Sequence, residues 1–185
     1  MTKGNIVVKI HGCSGAGKTT AVRELMKALG SCPLPDQGKP EAYLLGLQNP
    51  TYVLGSYENT CGGMDTVGSA AEVMALVDKY AKLGNVVFEG LLQSTYYGKM
   101  GEHSRQYGDS YVYAFLDTPI ELCLERVIAR RAASGRNNKF NPQLTRDKHE
   151  TIVALQRKLT AQGFHRVVTL RHDLPMAPQL LEILK

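Results

Sequence analysis

The stretch HGCSGAGKTT, residues 11–20, constrains the fold of this chain more than any other part of the sequence. It contains the complete pattern GxxxxGK[ST], from Gly12 to Thr19, between a strand-like run, NIVVKI, and a helix-like run, KTTAVRELMKAL. Glycines let the backbone curl so that successive N–H groups point at phosphate oxygens, and the helix turns its positive end to the same anion. The motif therefore predicts a cradle for nucleotide phosphates.

Each part of this cradle has an expected role. The residues expected to bind ATP are Gly12, Cys13, Ser14, Gly15, Ala16, Gly17, Lys18, Thr19 and Thr20. Lys18 is expected to reach the β- and γ-phosphates and Thr19 to bind Mg²⁺. The metal also needs an acid on a neighbouring strand, and Glu89, at the end of the run NVVFEG, is the candidate. The alternative for Glu89 is an ordinary strand-end carboxylate that faces solvent.

The rest of the sequence alternates strand-like and helix-like segments. Strands are predicted near residues 5–10, 85–89, 111–117 and 165–172, with two short runs at 41–47 and 51–57 that could form a hairpin. Helices are predicted over 18–29, 69–84, 118–135, 145–163 and 175–185, with Thr118 as a cap and Pro119 at the first helical position. Residues 31–40 are predicted to be a loop because they contain three prolines.

This alternation predicts an α/β fold, a three-layer α/β/α sandwich around a mostly parallel sheet. Together with the phosphate cradle it predicts a P-loop NTPase of the nucleoside-monophosphate-kinase type. At 185 residues, the chain suits a single domain spanning 1–185. Its four cysteines form no CxxC pair, which argues against zinc and disulfide frameworks. No apolar segment is long enough to span a membrane, so we expect a cytoplasmic protein.

The net charge of +5 suits a polyanionic partner and equally a small enzyme that binds phosphates. A GTPase switch is disfavoured, because Asp65 of DTVG follows no apolar strand and Asn141 stands where NKxD requires Asp. The length leaves no room for the second domain of a mechanical ATPase. Phosphoryl transfer is therefore the favoured reaction.

A basic segment around 126–140 resembles the lid of small P-loop kinases. It contains Arg126, Arg130, Arg131 and Arg136. Arg126 and Arg130 share one helical face and could neutralise charge on the transferred phosphoryl group. The alternative is a solvated basic helix end that only complements the helix dipole.

The acceptor hydroxyl needs a carboxylate to orient it and take its proton. Asp36 follows the first helix, and Asp65 lies in GSYENTCGGMDTVGS, a glycine-rich loop at residues 55–69. Long loops of this composition within a compact domain are usually functional. Both acids remain candidates on this reasoning.

Four segments together, HGCSGAGKTT, YVLGSYENTCGGMDTV, VVFEGLL and FLDTPIELCLERVIARR, resemble the 5-hydroxymethyluracil DNA kinases of bacteriophages. The resemblance covers roughly residues 5–150, and YENTCGGMD is its most distinctive element. It implies ATP-dependent phosphorylation of the 5-hydroxymethyl group of uracil within DNA. Asp65 would then be the acceptor-side base, and Tyr57, Asn59, Gly62 and Gly63 would shape the base pocket.

DNA containing 5-hydroxymethyluracil is the partner that the resemblance implies. A base within a duplex cannot reach a γ-phosphate in a cleft, so it would have to be flipped out or presented on single-stranded DNA. Tyrosines available for stacking are Tyr52, Tyr57, Tyr96, Tyr97 and Tyr107, although packing in the core is the alternative for each. A P-loop kinase of a free nucleotide or another small metabolite is the alternative function.

Overall fold

The computed structural model describes residues 4–35, 37–59, 62–90, 98–135, 140–163 and 165–185. Strands are β1 (Val7–His11), β2 (Ser31–Leu34), β3 (Ala42–Leu45), β4 (Thr51–Leu54), β5 (Asn85–Glu89), β6 (Tyr111–Leu116) and β7 (Arg166–Leu170). Helices are α1 (Lys18–Leu29), α2 (Ala70–Ala81), α3 (Gly98–Ser104), α4 (Ile120–Ala133), α5 (Pro142–Gln162) and α6 (Met176–Leu184). Two segments of 3₁₀ helix, Met64–Thr66 and Arg105–Ser110, complete the described elements.

Within the described residues, one sheet of seven strands has the order β2-β3-β4-β5-β1-β6-β7. From β4 to β7 all neighbours are parallel, whereas β3 runs antiparallel to both β2 and β4. The strand β1 lies between β5 and β6, so the loop that follows it opens at the middle of the sheet's carboxyl edge. The predicted mostly parallel α/β fold is confirmed, as is the antiparallel pairing of the two short runs.

The core lies on both faces of this sheet. Every residue of β1, β5 and β6 is buried, which explains their nearly continuous apolar sequences. The helices α1 and α6 pack together, while α2 contacts α3 and α4 contacts α5. Crossovers between parallel strands are almost always right-handed, so the strand order puts α2 and α3, in the crossovers from β4 to β5 and from β5 to β6, on the face opposite α1. The three-layer arrangement follows from this topology.

The prediction that residues 31–40 form only a loop is wrong, because Ser31–Leu34 is a strand. It pairs antiparallel with β3 and forms one edge of the sheet. Proline lacks the N–H that a central strand would need, but an edge strand leaves one row of backbone groups unpaired. Pro33 is therefore tolerated opposite Tyr43.

Two predicted helix starts also need correction. Helix α4 begins at Ile120 with Pro119 in the capping position, and the Thr118 hydroxyl donates to the backbone oxygen of Ala16 at 2.8 Å instead of capping. Helix α5 begins at Pro142, three residues earlier than predicted, because the Asn141 side chain caps it by accepting from the Gln143 N–H. Among the helices that the structure describes, none combines the length and apolar character needed to cross a membrane.

Candidate active site

The phosphate loop connects the buried end of β1 to the first residue of α1. Its backbone has positive φ at Gly15 (83°) and Gly17 (101°), a conformation that side-chain-bearing residues rarely adopt. A Cβ at Gly15 would lie 2.2 Å from the backbone oxygen of Cys123, and one at Gly12 would lie 2.8 Å from the Cβ of Ala16. The glycines are therefore required by close packing as well as by the turn itself.

Lys18 lies at the base of this loop. Its Nζ donates to the backbone oxygens of Gly12 at 2.8 Å and Cys13 at 3.2 Å. Burial lowers the pKa of Lys18, and the negative charge of Glu89 is the largest effect in the opposite direction. The ammonium group is thus directed toward the same concave backbone that the sequence predicts to hold phosphates.

Glu89 ends β5, directly beside the loop. It is 1% exposed, and its Oε1 accepts a hydrogen bond of 2.9 Å from the Thr19 hydroxyl. Burial raises the pKa of Glu89, whereas the charge of Lys18 and the Thr19 hydrogen bond lower it. In the described part of the chain, no three His, Cys, Asp or Glu side chains gather as a metal cage. One hydroxyl and one carboxylate nevertheless suit Mg²⁺, which usually keeps several waters and takes few protein ligands.

The glycine-rich loop after β4 folds back against Glu89. The N–H of Gly63 donates to the backbone oxygen of Ser56 at 2.9 Å. A Cβ at Gly63 would lie 2.7 Å from Glu89 Oε1, and one at Gly62 would lie 2.9 Å from the Tyr57 ring. The Gly62–Gly63 pair therefore lets this loop approach the end of β5 at backbone distance.

Asp65 lies in the 3₁₀ turn that follows these glycines. Its neighbour Met64 is buried, whereas Asp65 itself is exposed toward the cleft. The negative charge of Asp65 favours the protonated forms of both Lys18 and Glu89. The phosphate loop and this carboxylate thus line the same cleft.

The cleft has a volume of about 570 Å³. Its lining includes most of the predicted site residues, namely Cys13, Ser14, Gly15, Ala16, Gly17, Lys18, Thr19, Thr20, Gly62, Asp65, Glu89, Arg126 and Arg130. Arg126 also donates from Nη1 to the backbone oxygen of Gly15 at 3.3 Å. Of the predicted basic segment, Arg136 lies outside the described residues. The second acceptor candidate, Asp36, also lies outside them.

The residues predicted to shape a base pocket lie at different depths. Tyr57 is 7% exposed, packs edge-on against Tyr43 with ring centroids 5.9 Å apart, and makes no hydrogen bond through its hydroxyl with any described residue. Asn59 is exposed, and its backbone oxygen accepts a hydrogen bond from Arg23. Two other candidate stacking residues pack elsewhere: Tyr52 against Tyr80 and Tyr107 against His103. Tyr96 and Tyr97 lie outside the described residues.

Sequence reasoning missed five residues that line the cleft: Arg23, Glu24, His172, Leu174 and Met176. Arg23, on α1, donates from Nη2 to the backbone oxygen of Tyr57 at 2.9 Å and so connects α1 to the loop after β4. His172 is held by Asp117, whose Oδ1 accepts from the His172 backbone N–H at 2.7 Å. His172, Leu174 and Met176 could have been predicted from their position after β7. The carboxyl ends of parallel strands share one edge of the sheet, and the phosphate loop lies at that edge.

No family model matches the chain, but individual relatives agree with a kinase site. A protein of Pseudomonas phage PaMx11 named 5-hmdU DNA kinase is 35% identical over 166 residues, which covers 85% of this chain and 86% of that protein. A 5-hmdU DNA kinase of Pseudomonas phage M6 is 31% identical over 173 residues, covering 84% of this chain and 86% of that protein. The chain belongs to the 5-hmdU DNA kinase family. It is therefore a P-loop phosphotransferase that uses ATP.

This kinase also matches part of a longer relative. A 5-hmdU DNA kinase of Bacillus phage SP10 is 27% identical over 136 residues, which is 68% of this chain and 21% of that protein. Among solved structures, a gluconokinase from Sinorhizobium meliloti 1021 has a TM-score of 0.53 at 13% identity, covering 98% of this chain and 91% of the other. A structure of the PezAT toxin-antitoxin system of Streptococcus pneumoniae has a TM-score of 0.54 at 18% identity, covering 93% and 70%. These two likenesses concern the fold alone.

Proposed function

We propose that this kinase transfers the γ-phosphate of ATP to the 5-hydroxymethyl group of 5-hydroxymethyluracil in phage DNA, in the host cytoplasm. The observation that carries the proposal is the cleft itself, which is lined by both Lys18 and Asp65. The names of the two phage relatives support DNA as the carrier of the acceptor. A target base would enter the cleft after leaving the base stack.

We assign the nucleotide end and the acceptor end of the reaction to different residues that line the cleft. The loop from Gly12 to Thr20 binds the ATP phosphates, and Lys18 neutralises charge on the group being transferred. Asp65 orients the acceptor hydroxyl and accepts its proton. Arg126 and Arg130 complete the charge neutralisation from α4, because both line the cleft and Arg126 already contacts the phosphate loop.

Mg²⁺ is the metal we propose for this site, held by the Thr19 hydroxyl and, through its hydration shell, by Glu89. When bound, the ion would neutralise charge between the β- and γ-phosphates. The 2.9 Å contact between the two side chains supports this assignment, because it places both oxygens together beside the phosphate loop. The remaining coordination would come from phosphate oxygens and water.

The test compares three acceptors with γ-³²P-ATP and Mg²⁺. They are DNA containing 5-hydroxymethyluracil, the same sequence with thymine, and free 5-hydroxymethyl-deoxyuridine monophosphate. Label on the modified DNA alone is the expected result, and its transfer rate at low DNA concentration should fall steeply as salt rises. Label on the mononucleotide alone would overturn the proposal and make the protein a kinase of a free nucleotide. Lys18→Ala, which removes the phosphate-binding ammonium, should transfer no label to any acceptor and so measures the background label of the assay.

A further inference from the structure

Arg23 ties the helix that follows the phosphate loop to the glycine-rich loop after β4. It lies on α1 and lines the cleft. Its Nη2 donates to the backbone oxygen of Tyr57 at 2.9 Å and also to that of Asn59. One guanidinium nitrogen therefore holds two carbonyls of the segment that leads to Gly62 and Gly63. The phosphoryl transfer proposed above gives this arginine no role.

Arg23 completes a closed circuit of contacts around the proposed metal site. Thr19 and Arg23 are four residues apart and so share one face of α1. The Thr19 hydroxyl donates to Glu89 at 2.9 Å, and a Cβ at Gly63 would lie 2.7 Å from the same carboxylate. The Gly63 N–H donates to the backbone oxygen of Ser56 at 2.9 Å, which returns to the segment that Arg23 holds. The nucleotide side and the loop after β4 are thus joined at two points.

The position of Gly63 determines where Asp65 lies. Asp65 belongs to the 3₁₀ turn Met64–Thr66, which starts directly after this glycine. The backbone oxygen of Gly63 accepts from the Thr66 hydroxyl at 2.8 Å and from the Thr66 N–H at 3.3 Å. Lys39, in the segment before β3, donates to the Thr66 backbone oxygen at 3.0 Å, but it does not connect the turn to α1. A shift of this loop relative to α1 would therefore move Asp65 relative to the phosphate loop.

We propose that Arg23 is a positioning residue, which aligns Asp65 with the phosphate loop by holding the loop after β4 against α1. It acts through the loop backbone and contacts neither the nucleotide nor the acceptor. A carboxylate that orients a hydroxyl and takes its proton must lie within hydrogen-bond reach of it. A misplacement of about 1 Å can cost about 100-fold in rate. The inference rests on the proposed function, which places the acceptor hydroxyl beside Asp65.

The test variant is Arg23→Met, which keeps a long side chain and removes the donors. Transfer of label from γ-³²P-ATP to DNA containing 5-hydroxymethyluracil should fall about 10- to 100-fold in kcat. The Kd for ATP, measured by isothermal titration calorimetry, should change less than about twofold, because the phosphate loop is intact. Arg23→Lys should restore part of the rate, because an ammonium can still donate to a carbonyl.

Lys27→Met is the matched control, because Lys27 is an exposed cation one turn further along the same face of α1. It removes the same charge without touching the loop and should transfer label at the normal rate. The salt dependence of the KM for DNA separates positioning from a DNA contact. Arg23→Met should keep the slope of the unaltered protein, whereas a slope reduced by about one would make Arg23 a phosphate contact and overturn the proposal. A normal kcat in Arg23→Met, or an equal loss in Lys27→Met, would also overturn it.

A measurement without any acceptor separates this inference from the proposed function. Amide hydrogen exchange, followed by NMR, should become faster at Gly63 and Thr66 in Arg23→Met and stay unaltered in β1. Unaltered exchange at both amides would contradict the role of Arg23 whatever the acceptor is. If the unaltered protein labels only the free mononucleotide, the proposed acceptor is wrong, and the rates of Arg23→Met and Lys27→Met are then compared on that acceptor.

Discussion

The Thr19 hydroxyl donates a 2.9 Å hydrogen bond to Oε1 of Glu89, a carboxylate that is 1% exposed. These residues come from α1 and β5, and only the pairing of β5 with β1 brings them together. Burying a carboxylate is costly, and buried ionisable groups of this kind cluster at functional sites. Glu89 is therefore the first residue to test.

Glu89→Gln should lower kcat by about 100-fold or more and raise the Mg²⁺ concentration needed for half-maximal rate, because the amide lacks the negative charge that attracts the ion. The amide oxygen can still accept the Thr19 hydrogen bond, so the fold should persist. Steady-state rates over a Mg²⁺ titration check this. Glu182→Gln, on the exposed face of α6, is the control. An unchanged Mg²⁺ requirement in Glu89→Gln would remove this carboxylate from the metal site.

Asp65→Asn should lower kcat by about 100-fold or more while leaving the KM for ATP nearly unchanged, because it removes the proposed acceptor-side base without altering the phosphate loop. The measurement is initial rate against both ATP and DNA. Asp36→Asn is the comparison, and it should retain most of the activity. If Asp36→Asn shows the loss and Asp65→Asn does not, the acceptor-side assignment is wrong.

Lys9, in the centre of β1, is 1% exposed, and its Nζ lies 3.9 Å from the Met100 sulfur. Burial lowers the pKa of Lys9 to about 7, below the ordinary lysine value of 10.5. Between these two values the unfolded chain binds more protons than the folded one, so the stability of the protein rises with pH across this window. Below pH 7 the cost of burying Lys9 is present in full.

Lys9→Met should therefore raise the free energy of unfolding by about 4 kcal/mol at pH 7 and by only about 1 kcal/mol at pH 10. Urea denaturation of both proteins at several pH values measures the difference, since other titrating groups cancel. Lys27→Met, at an exposed position on α1, is the control and should leave the pH dependence unaltered. A pH-independent difference between Lys9→Met and the unaltered protein would contradict this explanation.

Tyr57→Phe should raise the free energy of unfolding by about 1–2 kcal/mol, because it removes a buried hydroxyl that no described residue satisfies. Tyr43 is the matched control. Its hydroxyl donates to Glu58 at 2.7 Å and accepts from the Tyr57 N–H at 3.1 Å, so Tyr43→Phe should destabilise the protein. Chemical denaturation of the two variants gives the comparison. A lower free energy of unfolding in both variants would show that the Tyr57 hydroxyl is satisfied in solution.

Local sequence was sufficient to predict those elements that are specified by residues close together in the chain. The spacing of GxxxxGK[ST] after an apolar run predicted the loop between β1 and α1. Helical periodicity likewise located α2, capped by Ser69, whose side chain accepts from the Glu72 N–H. The edge strand β2 was missed because its proline, Pro33, is acceptable only where no second strand pairs, and that depends on the position of the strand in the sheet.

The sequence by itself determined the phosphate loop, the alternation of strands and helices, and the resemblance that led to the kinase family. Only the tertiary structure decided that Glu89 faces Thr19, that Gly62 and Gly63 let the loop after β4 approach Glu89, and that residues after β7 line the same cleft. Backbone turns and amphipathic periodicity arise from neighbours along the chain. Contacts between distant segments depend on strand order and packing, which no short stretch of sequence specifies.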